Sequence, residues 1–212
     1  MNSAQAGIRP VLVMNSVTWG PEYDPAHPLY DVGDWFREVF EKAGVPVLVK
    51  QAQDLPPQTL GHFSALVLSG SPAAAYDNDG WIRGLKELVR KAVRDSVPTL
   101  GICFGSQLIA SALGGEVQLN PKGWELGNSK VYLTPEGSLD PLFEGFPDTF
   151  EVIESHQDAI TAIPPGAVLL ATNDHSPIQA YGVGEKLRAV QFHPEMSPAH
   201  LYFILPPRRE RI

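Results

Sequence analysis

The sequence predicts an α/β protein with a mostly parallel central sheet and helices on both of its faces. In the first half of the chain, short runs rich in Val, Leu and Ile alternate with longer segments whose apolar residues recur at helical spacing. Such alternation requires right-handed crossovers, which place neighbouring strands parallel and the helices over the sheet. In the second half, short strand-like runs are separated by Gly, Pro, Asn and Asp, which predicts an antiparallel or mixed subregion.

The first half supplies the parallel strands and the helices between them. Apolar runs of strand length occupy residues 10–14, 45–49, 65–69 and 97–102. Helical spacing appears in three segments, residues 32–43, 81–92 and 105–113. Gly44 ends the first of these helices and Gly114 the third. A polar, proline-bearing loop through Pro28 follows the first strand, and its length suggests a place at a site or an interface.

The second half predicts five short strands and one last helix. The strand-like runs are residues 130–133, 150–154, 168–171, 178–181 and 187–192. Ser197 and Pro198 can begin a helix as cap and first-turn proline, and Pro206 with Pro207 ends it. The arginines after that point predict a solvated tail rather than a binding patch.

Composition and net charge limit the kinds of protein that this chain can be. With 212 residues and 43% hydrophobic content the chain can bury a substantial core, and we expect residues 1–212 to form one domain. The net charge of -8 argues against a general affinity for nucleic acid or an anionic membrane. The sequence shows no signal peptide, no membrane-spanning run and one cysteine, so we expect a soluble protein of the cytoplasm.

Cys103, the single cysteine, lies between Gly101 and Gly105 where an apolar strand meets a helix. This pattern is typical of a nucleophile elbow, in which the nucleophile has a strained backbone and glycines let strand and helix approach closely. The start of the helix also favours thiolate over thiol. The alternative is a small buried hydrophobe, which is the usual role of a free cysteine.

His193 and Glu195 follow the last predicted strand and provide what Cys103 lacks, a base and a group to orient it. If that strand lies beside the elbow, His193 can exchange a proton with the sulfur while Glu195 holds the ring. The alternative is an ordinary loop histidine next to a solvated carboxylate. The combination with an elbow cysteine in an α/β chain favours the catalytic interpretation.

Four segments, in order and at suitable intervals, resemble class I glutamine amidotransferases, a Cys-His-Glu family. They are residues 68–72 (LSGSP), 101–107 (GICFGSQ), 155–158 (SHQD) and 191–195 (QFHPE). Nearly the whole chain takes part in the resemblance. It implies a flavodoxin-like fold with Cys103 as nucleophile, His193 as base and acid, and Glu195 as orienting residue.

The resemblance also implies an oxyanion hole and substrate contacts. The amides of Ser71 and Phe104 would form the oxyanion hole, with Ser71 standing where many members have a second glycine after Gly70. Gly70, Gln107 and the backbone around Ser155 and His156 would contact substrate, although polar capping is the structural alternative for these polar residues. No metal or other cofactor is implied, and the remaining histidines show no zinc-binding spacing.

Three functions stay open at this point. The first is a glutaminase that hydrolyses L-glutamine and releases ammonia to an acceptor on a separate synthase subunit. The second is a γ-glutamyl peptidase or hydrolase that uses the same triad. Residues 70–72 (GSP) and 123–127 (GWELG) are similar to stand-alone members of the family, which include γ-glutamyl peptidases. The third is a non-catalytic binding module on the same fold. Few residues follow Glu195 and no Gly-rich phosphate loop is present, so we expect no acceptor domain in this chain.

Overall fold

The computed structural model describes residues 8–54 and 56–206, and eleven strands and four α-helices lie within those ranges. The strands are β1 (Val11–Asn15), β2 (Val47–Gln51), β3 (Ala65–Leu68), β4 (Thr99–Ile102), β5 (Glu116–Leu119), β6 (Glu125–Leu133), β7 (Thr149–His156), β8 (Asp158–Ala162), β9 (Val168–Thr172), β10 (Ala180–Val183) and β11 (Leu187–Val190). The helices are α1 (Val32–Lys42), α2 (Gly80–Arg94), α3 (Phe104–Ala112) and α4 (Pro198–Ile204).

Nine of the described strands form one sheet in the order β2-β1-β3-β4-β11-β10-β9-β6-β7. The first five pair in parallel, and the remaining four extend the sheet antiparallel. A small second sheet pairs β5 with β8. One apolar core contains residues of α2 and α3, and another contains residues of α1 and α4. The predicted α/β class, with an antiparallel C-terminal part, is therefore confirmed.

Most predicted elements are present with shifted ends. β2 begins two residues later than predicted, at Val47, and α1 exposes Val39, which the helical pattern assigns to the core face. β5 and β8 were not predicted, because both are short and carry polar residues. α4 ends as predicted, before the proline pair; residues 207–212, which include the arginine tail, lie outside the described residues.

The long loop between β1 and α1 packs on α4 through aromatic rings. The Tyr23 hydroxyl donates to the carbonyl of Ile204, 3.1 Å away, and the rings of Trp19 and Phe203 meet edge to face at 5.7 Å. Trp35 of α1 contacts the ring of His200 at 4.4 Å. These contacts hold the loop next to the carboxyl ends of the parallel strands. Among the described helices, none has the length and apolar character to cross a membrane.

Candidate active site

Cys103 occupies a strained turn between β4 and α3. Its φ of 51° and ψ of -107° lie outside the regions that L-residues normally adopt. The turn is tight enough to exclude side chains on its glycines, since a Cβ on Gly105 would lie 2.2 Å from the carbonyl oxygen of Leu68. The Cys103 amide donates to the carbonyl of Val190 at 2.9 Å, which ties the turn to β11. This is the geometry of a nucleophile elbow.

The turn after β3 brings Gly70 and Ser71 to the same edge of the sheet. The Ser69 hydroxyl donates to the carbonyl of Gly70 at 2.8 Å. Because a peptide unit is planar and trans, this bond fixes the Ser71 N–H on the opposite side of the unit. The Ser71 hydroxyl donates to the carbonyl of Ser16 at 2.9 Å and so holds the turn against the end of β1. Across the described residues, neither the Ser71 amide nor the Phe104 amide donates a hydrogen bond.

His193 and Glu195 form a buried pair in the segment after β11. Nδ1 of His193 lies 2.8 Å from Oε1 of Glu195, and both residues are less than 10% exposed. Burial lowers the pKa of His193, but the charges of Glu195 and Cys103 outweigh burial and hold the pKa well above its usual value. The other ring nitrogen, Nε2, is buried and makes no well-aligned hydrogen bond within the described part of the chain, while the Cys103 side chain is close enough to raise the pKa of His193. It is the nitrogen left free to exchange a proton.

The three turns meet because β3, β4 and β11 are adjacent parallel strands whose carboxyl ends lie at one edge. A Cβ on Gly70 would lie 2.9 Å from Cε1 of His193 and 3.7 Å from Cβ of Cys103. Glycine at position 70 therefore leaves the space that the His193 ring occupies. The structure brings together the residues that the sequence predicted as a triad.

A cavity of about 220 Å³ opens above these residues. Its polar wall contains Cys103 and His193 together with most of the other predicted site residues, namely Gly70, Ser71, Gln107, Ser155, His156 and Glu195. Phe104 is the exception: its ring is buried against Trp81 at 5.6 Å, and only its backbone stands at the start of α3. Most of the remaining lining is apolar, and we call its residues Val17, Trp19, Val32, Trp35, Met196 and Ile204 the apolar wall.

Gln107 is anchored by its amide nitrogen, which donates to the carbonyl of Asp158 and to Oε1 of Gln191, each at 3.1 Å. Both of those residues belong to other elements that reach the cavity, the start of β8 and the segment after β11. Gln107 thus connects the helix that follows Cys103 with two other parts of the site. Its carbonyl oxygen is the atom that remains for a ligand.

Two groups of residues at the site were not predicted from the sequence. The apolar wall includes Trp19 and Trp35, which no motif marks. The second group is a pair of buried carboxylates, Glu125 and Glu154, which lie beside the His156 ring. A glutamate in a strand normally faces solvent. The role of these two residues therefore becomes apparent only from their burial in the structure. Glu125 lies within the GWELG segment, the one sequence signal near it.

Comparison with known proteins finds a matching family model and similar sequences. The family model for glutamine amidotransferase class-I matches residues 30–201. The chain is 41% identical over 135 residues to a GMP synthase [glutamine-hydrolyzing] of Nitratiruptor sp., covering 62% of this chain and 25% of that protein. It is 32% identical over 148 residues to γ-glutamyl peptidase 4 of Arabidopsis thaliana, covering 69% of this chain and 59% of the relative.

A solved structure shows the same architecture. The crystal structure of a glutamine amidotransferase from Methylobacillus flagellatus superposes with a TM-score of 0.76 at 29% identity, covering 96% of this chain and 78% of that one. The GMP synthases are much longer, so this chain spans about a quarter of their length.

Proposed function

The chain belongs to the class-I glutamine amidotransferase family, and we propose that it hydrolyses the γ-carboxamide of glutamine through a γ-glutamyl thioester on Cys103. The observation that carries the proposal is one cavity that holds both an elbow cysteine and a buried His193–Glu195 pair. A strained cysteine alone can serve packing without any chemistry. A strained cysteine next to a histidine with an orienting carboxylate is the arrangement that nucleophilic catalysis requires.

In the first step the Cys103 thiolate attacks the amide carbon, and the carbonyl oxygen becomes an oxyanion. The amides of Ser71 and Phe104 are the proposed donors to this oxyanion. Two facts support that role: the Ser69 hydroxyl fixes the Gly70–Ser71 peptide plane, and Phe104 begins α3, where the helix has its positive end. Amide donors preorganised in this way stabilise the transition state without reorganisation.

In the second step the oxyanion collapses, the C–N bond breaks, and Nε2 of His193 gives its proton to the departing nitrogen. Ammonia leaves and the γ-glutamyl thioester remains on Cys103. The neutral imidazole then takes a proton from water, and the resulting hydroxide attacks the thioester. Glutamate and the Cys103 thiolate are released, and His193 is again protonated. Glu195 stays ionised throughout and keeps Nδ1–H directed at itself.

The size of the cavity supports a small substrate. Its volume of about 220 Å³ is below the roughly 300–1,000 Å³ of pockets that bind drug-sized ligands. We propose that the γ-carboxamide sits over Cys103 while the amino-acid end lies along Gln107, Ser155 and His156. Where ammonia is used rather than released, we propose that the acceptor belongs to a separate synthase polypeptide.

A second function, γ-glutamyl peptide hydrolysis, is favoured by the apolar wall. Cys103 packs in the same apolar cluster as Val32, Trp35 and Ile204, with Trp19 and Met196 against it. Met196 follows the His193–Glu195 pair, so this wall lies next to the histidine that protonates the leaving nitrogen. Ammonia has no use for an apolar surface, whereas an amino-acid leaving group with an apolar side chain would contact it.

A substrate panel tests both functions. The purified protein is given L-glutamine, γ-glutamyl-leucine and γ-glutamyl-alanine, and ammonia, amino acid and glutamate are measured separately. Glutamine turnover that exceeds dipeptide cleavage supports the glutaminase, and the reverse ranking supports the peptidase. No turnover of any of the three, with tight binding of glutamine, would replace both by the binding-module alternative.

A further inference from the structure

A second histidine, His156, belongs to the polar wall of the cavity and is buried between two carboxylates. Its Nε2 lies 3.2 Å from Oε2 of Glu125 and 3.3 Å from Oε2 of Glu154. Sheet pairing assembles the group, since Glu125 stands opposite His156 in the β6–β7 ladder and Glu154 precedes His156 by two residues on the same face. The three side chains are at most 4% exposed.

Glu154 is the unusual member of this group. It is fully buried, and neither of its carboxylate oxygens accepts a well-aligned hydrogen bond from the described residues. An ionised carboxylate in the interior is costly unless a cation compensates it. Glu125, in contrast, accepts from Asn173 at 2.5 Å and from Gln179 at 3.3 Å. The His156 ring is therefore the group that compensates Glu154.

The electrostatics agree with a cation at this position. Burial lowers the pKa of His156, but its interactions with Glu125 and Glu154 outweigh burial and raise the pKa to about 10. Burial raises the pKa of Glu125, yet hydrogen bonds, from His156 above all, bring it to about 2. Burial raises the pKa of Glu154 above its usual value, and His156 opposes that effect without cancelling it.

The His156 ring connects the buried carboxylates Glu125 and Glu154 to the polar lining of the cavity. Its Nδ1 lies 2.8 Å from the carbonyl oxygen of Asp158 and donates to it when the ring is protonated at both nitrogens. The same carbonyl accepts from Gln107, which also donates to Gln191 two residues before His193. A continuous series of polar contacts thus runs from the buried carboxylates to the nucleophile helix and to the segment that carries His193.

We propose that His156 is a positioning residue, held as a cation by Glu125 and Glu154, whose charge fixes the turn 155–158 against Gln107 for substrate binding. The inference rests on the proposed function, because it assigns that turn to glutamine. A neutral ring would carry one hydrogen fewer and could not donate to a carboxylate and to the Asp158 carbonyl at once. Loss of the charge therefore breaks one of these two contacts, either to the turn or to the carboxylates.

Several titratable groups face this cluster and enter its pH dependence. Glu125 comes from β6, Glu154 from β7 and Asp158 from the start of β8. The charge of Cys103, at the start of α3, also raises the pKa of His156, and His193 faces Glu154. His175, after β9, lies with Nδ1 3.4 Å from Oε2 of Glu125.

The test uses the full chain with the Cys103→Ala substitution, so that glutamine binds without turnover. Proton NMR of the His156 ring is followed from pH 6 to 10, and glutamine binding is measured by calorimetry at pH 7.5. In this parent we expect His156 to stay protonated above pH 8.5. Adding Glu154→Gln, which keeps the shape and removes the charge, should lower the His156 midpoint by about one pH unit. Glutamine binding should differ little from the parent at pH 7.5 and should be about threefold weaker when the calorimetry is repeated at pH 9.5, between the two midpoints.

Glu151→Gln is the matched control, because Glu151 is exposed on the same strand as Glu154. It should change neither the His156 midpoint nor glutamine binding. If Glu154→Gln fails to fold, the NMR titration of the Cys103→Ala parent alone tests the proposal. A His156 midpoint near 6.5 in that parent overturns the proposal. Unchanged midpoint and unchanged affinity at pH 9.5 in folded Glu154→Gln also overturn it, as does stoichiometric zinc that a chelator removes from the three side chains.

The two proposals fail in different ways. A parent protein that shows the high His156 midpoint but binds no glutamine counts against the proposed substrate and against the role of the turn in holding it. Wild-type glutamine turnover with a His156 ring that titrates normally leaves the proposed function intact and removes the positioning role.

Discussion

Nδ1 of His193 lies 2.8 Å from Oε1 of Glu195, and both side chains are buried at the edge of the sheet where Cys103 emerges. The carboxylate accepts a hydrogen bond from Nδ1–H and leaves Nε2 as the nitrogen for proton transfer. It also contributes the charge that raises the pKa of His193 against the effect of burial. The orientation of the histidine thus depends on Glu195, and its protonation depends on Glu195 together with Cys103.

Glu195→Gln should lower kcat by about 10²-fold or more, because the ring loses both its orientation and its charge partner. The alkaline limb of the pH profile of kcat/KM should also move to lower pH. Without Glu195 the pKa of His193 falls, and the imidazolium that protonates the leaving nitrogen is lost earlier as pH rises. Steady-state kinetics from pH 6 to 10 measure both effects. Glu185→Gln, in an exposed turn, is the control; equal profiles for the two variants would contradict the role.

Gly70→Ala should lower kcat/KM by about 10²-fold while the protein still folds. The added Cβ would lie 2.9 Å from Cε1 of His193, so the ring must move, and displacements of that order at a catalytic group are costly. Kinetics and thermal unfolding on the same sample separate activity from stability. Gly80→Ala is the control, since its nearest atom is the end of the Arg83 side chain at 3.9 Å. Full activity of Gly70→Ala would show that the ring is not confined there.

The buried group of Glu125, Glu154 and His156 should make stability depend on pH on both sides of neutrality. The pKa of His156 is raised from 6.5 to about 10, so its contribution is complete below 6.5 and is lost as pH rises toward 10. The pKa of Glu125 is lowered from 4.5 to about 2, so its contribution is complete above 4.5 and is lost as pH falls toward 2.

Urea unfolding at intervals from pH 3 to 10 measures this dependence. We expect the free energy of unfolding to be largest between about pH 5 and 7. His156→Gln should be less stable at neutral pH and should flatten the alkaline slope. An alkaline slope that is the same with and without His156 would assign it to other groups.

Trp19→Ala should separate the two candidate substrates if the apolar wall receives the leaving group. Cleavage of γ-glutamyl-leucine should fall about tenfold in kcat/KM, because the leucine side chain loses an aromatic contact. Glutamine hydrolysis should change less than threefold, since ammonia does not reach the wall. Tyr202→Ala on α4 is the control, because Tyr202 is exposed. An equal fall on both substrates would show that Trp19 supports the site only by packing.

The position of Cys103, His193 and Glu195 in one cavity could be predicted from the sequence, because each lies in a short local pattern. A glycine on either side of Cys103 at the end of an apolar run marks an elbow, and His193 with Glu195 follows the next parallel strand. Chain order and strand type are sufficient to bring such segments to one sheet edge. The backbone strain at Cys103 and the space at Gly70 have no sequence signal of their own, and the structure supplies both.

Glu125, Glu154 and Trp19 could not be predicted, because their roles arise from tertiary packing. Glu154 stands in a strand between Ile153 and Ser155, where a charged side chain predicts an exposed face. Trp19 lies in a loop without periodicity, and its contact with Phe203 joins parts of the chain more than 180 residues apart. The pairing of β5 with β8 was missed for a related reason, since four or five residues of mixed polarity carry little signal.

The central claim is that Cys103 forms a γ-glutamyl thioester with its substrate. Acid quench of the protein during turnover of L-glutamine, followed by mass spectrometry of the intact chain and of its peptides, measures the adduct directly. We expect one γ-glutamyl group on the peptide that contains Cys103, sensitive to hydroxylamine, and a loss of turnover of about 10³-fold or more in Cys103→Ala. Turnover by Cys103→Ala close to that of the wild type, with no adduct on the wild-type chain, would contradict the claim.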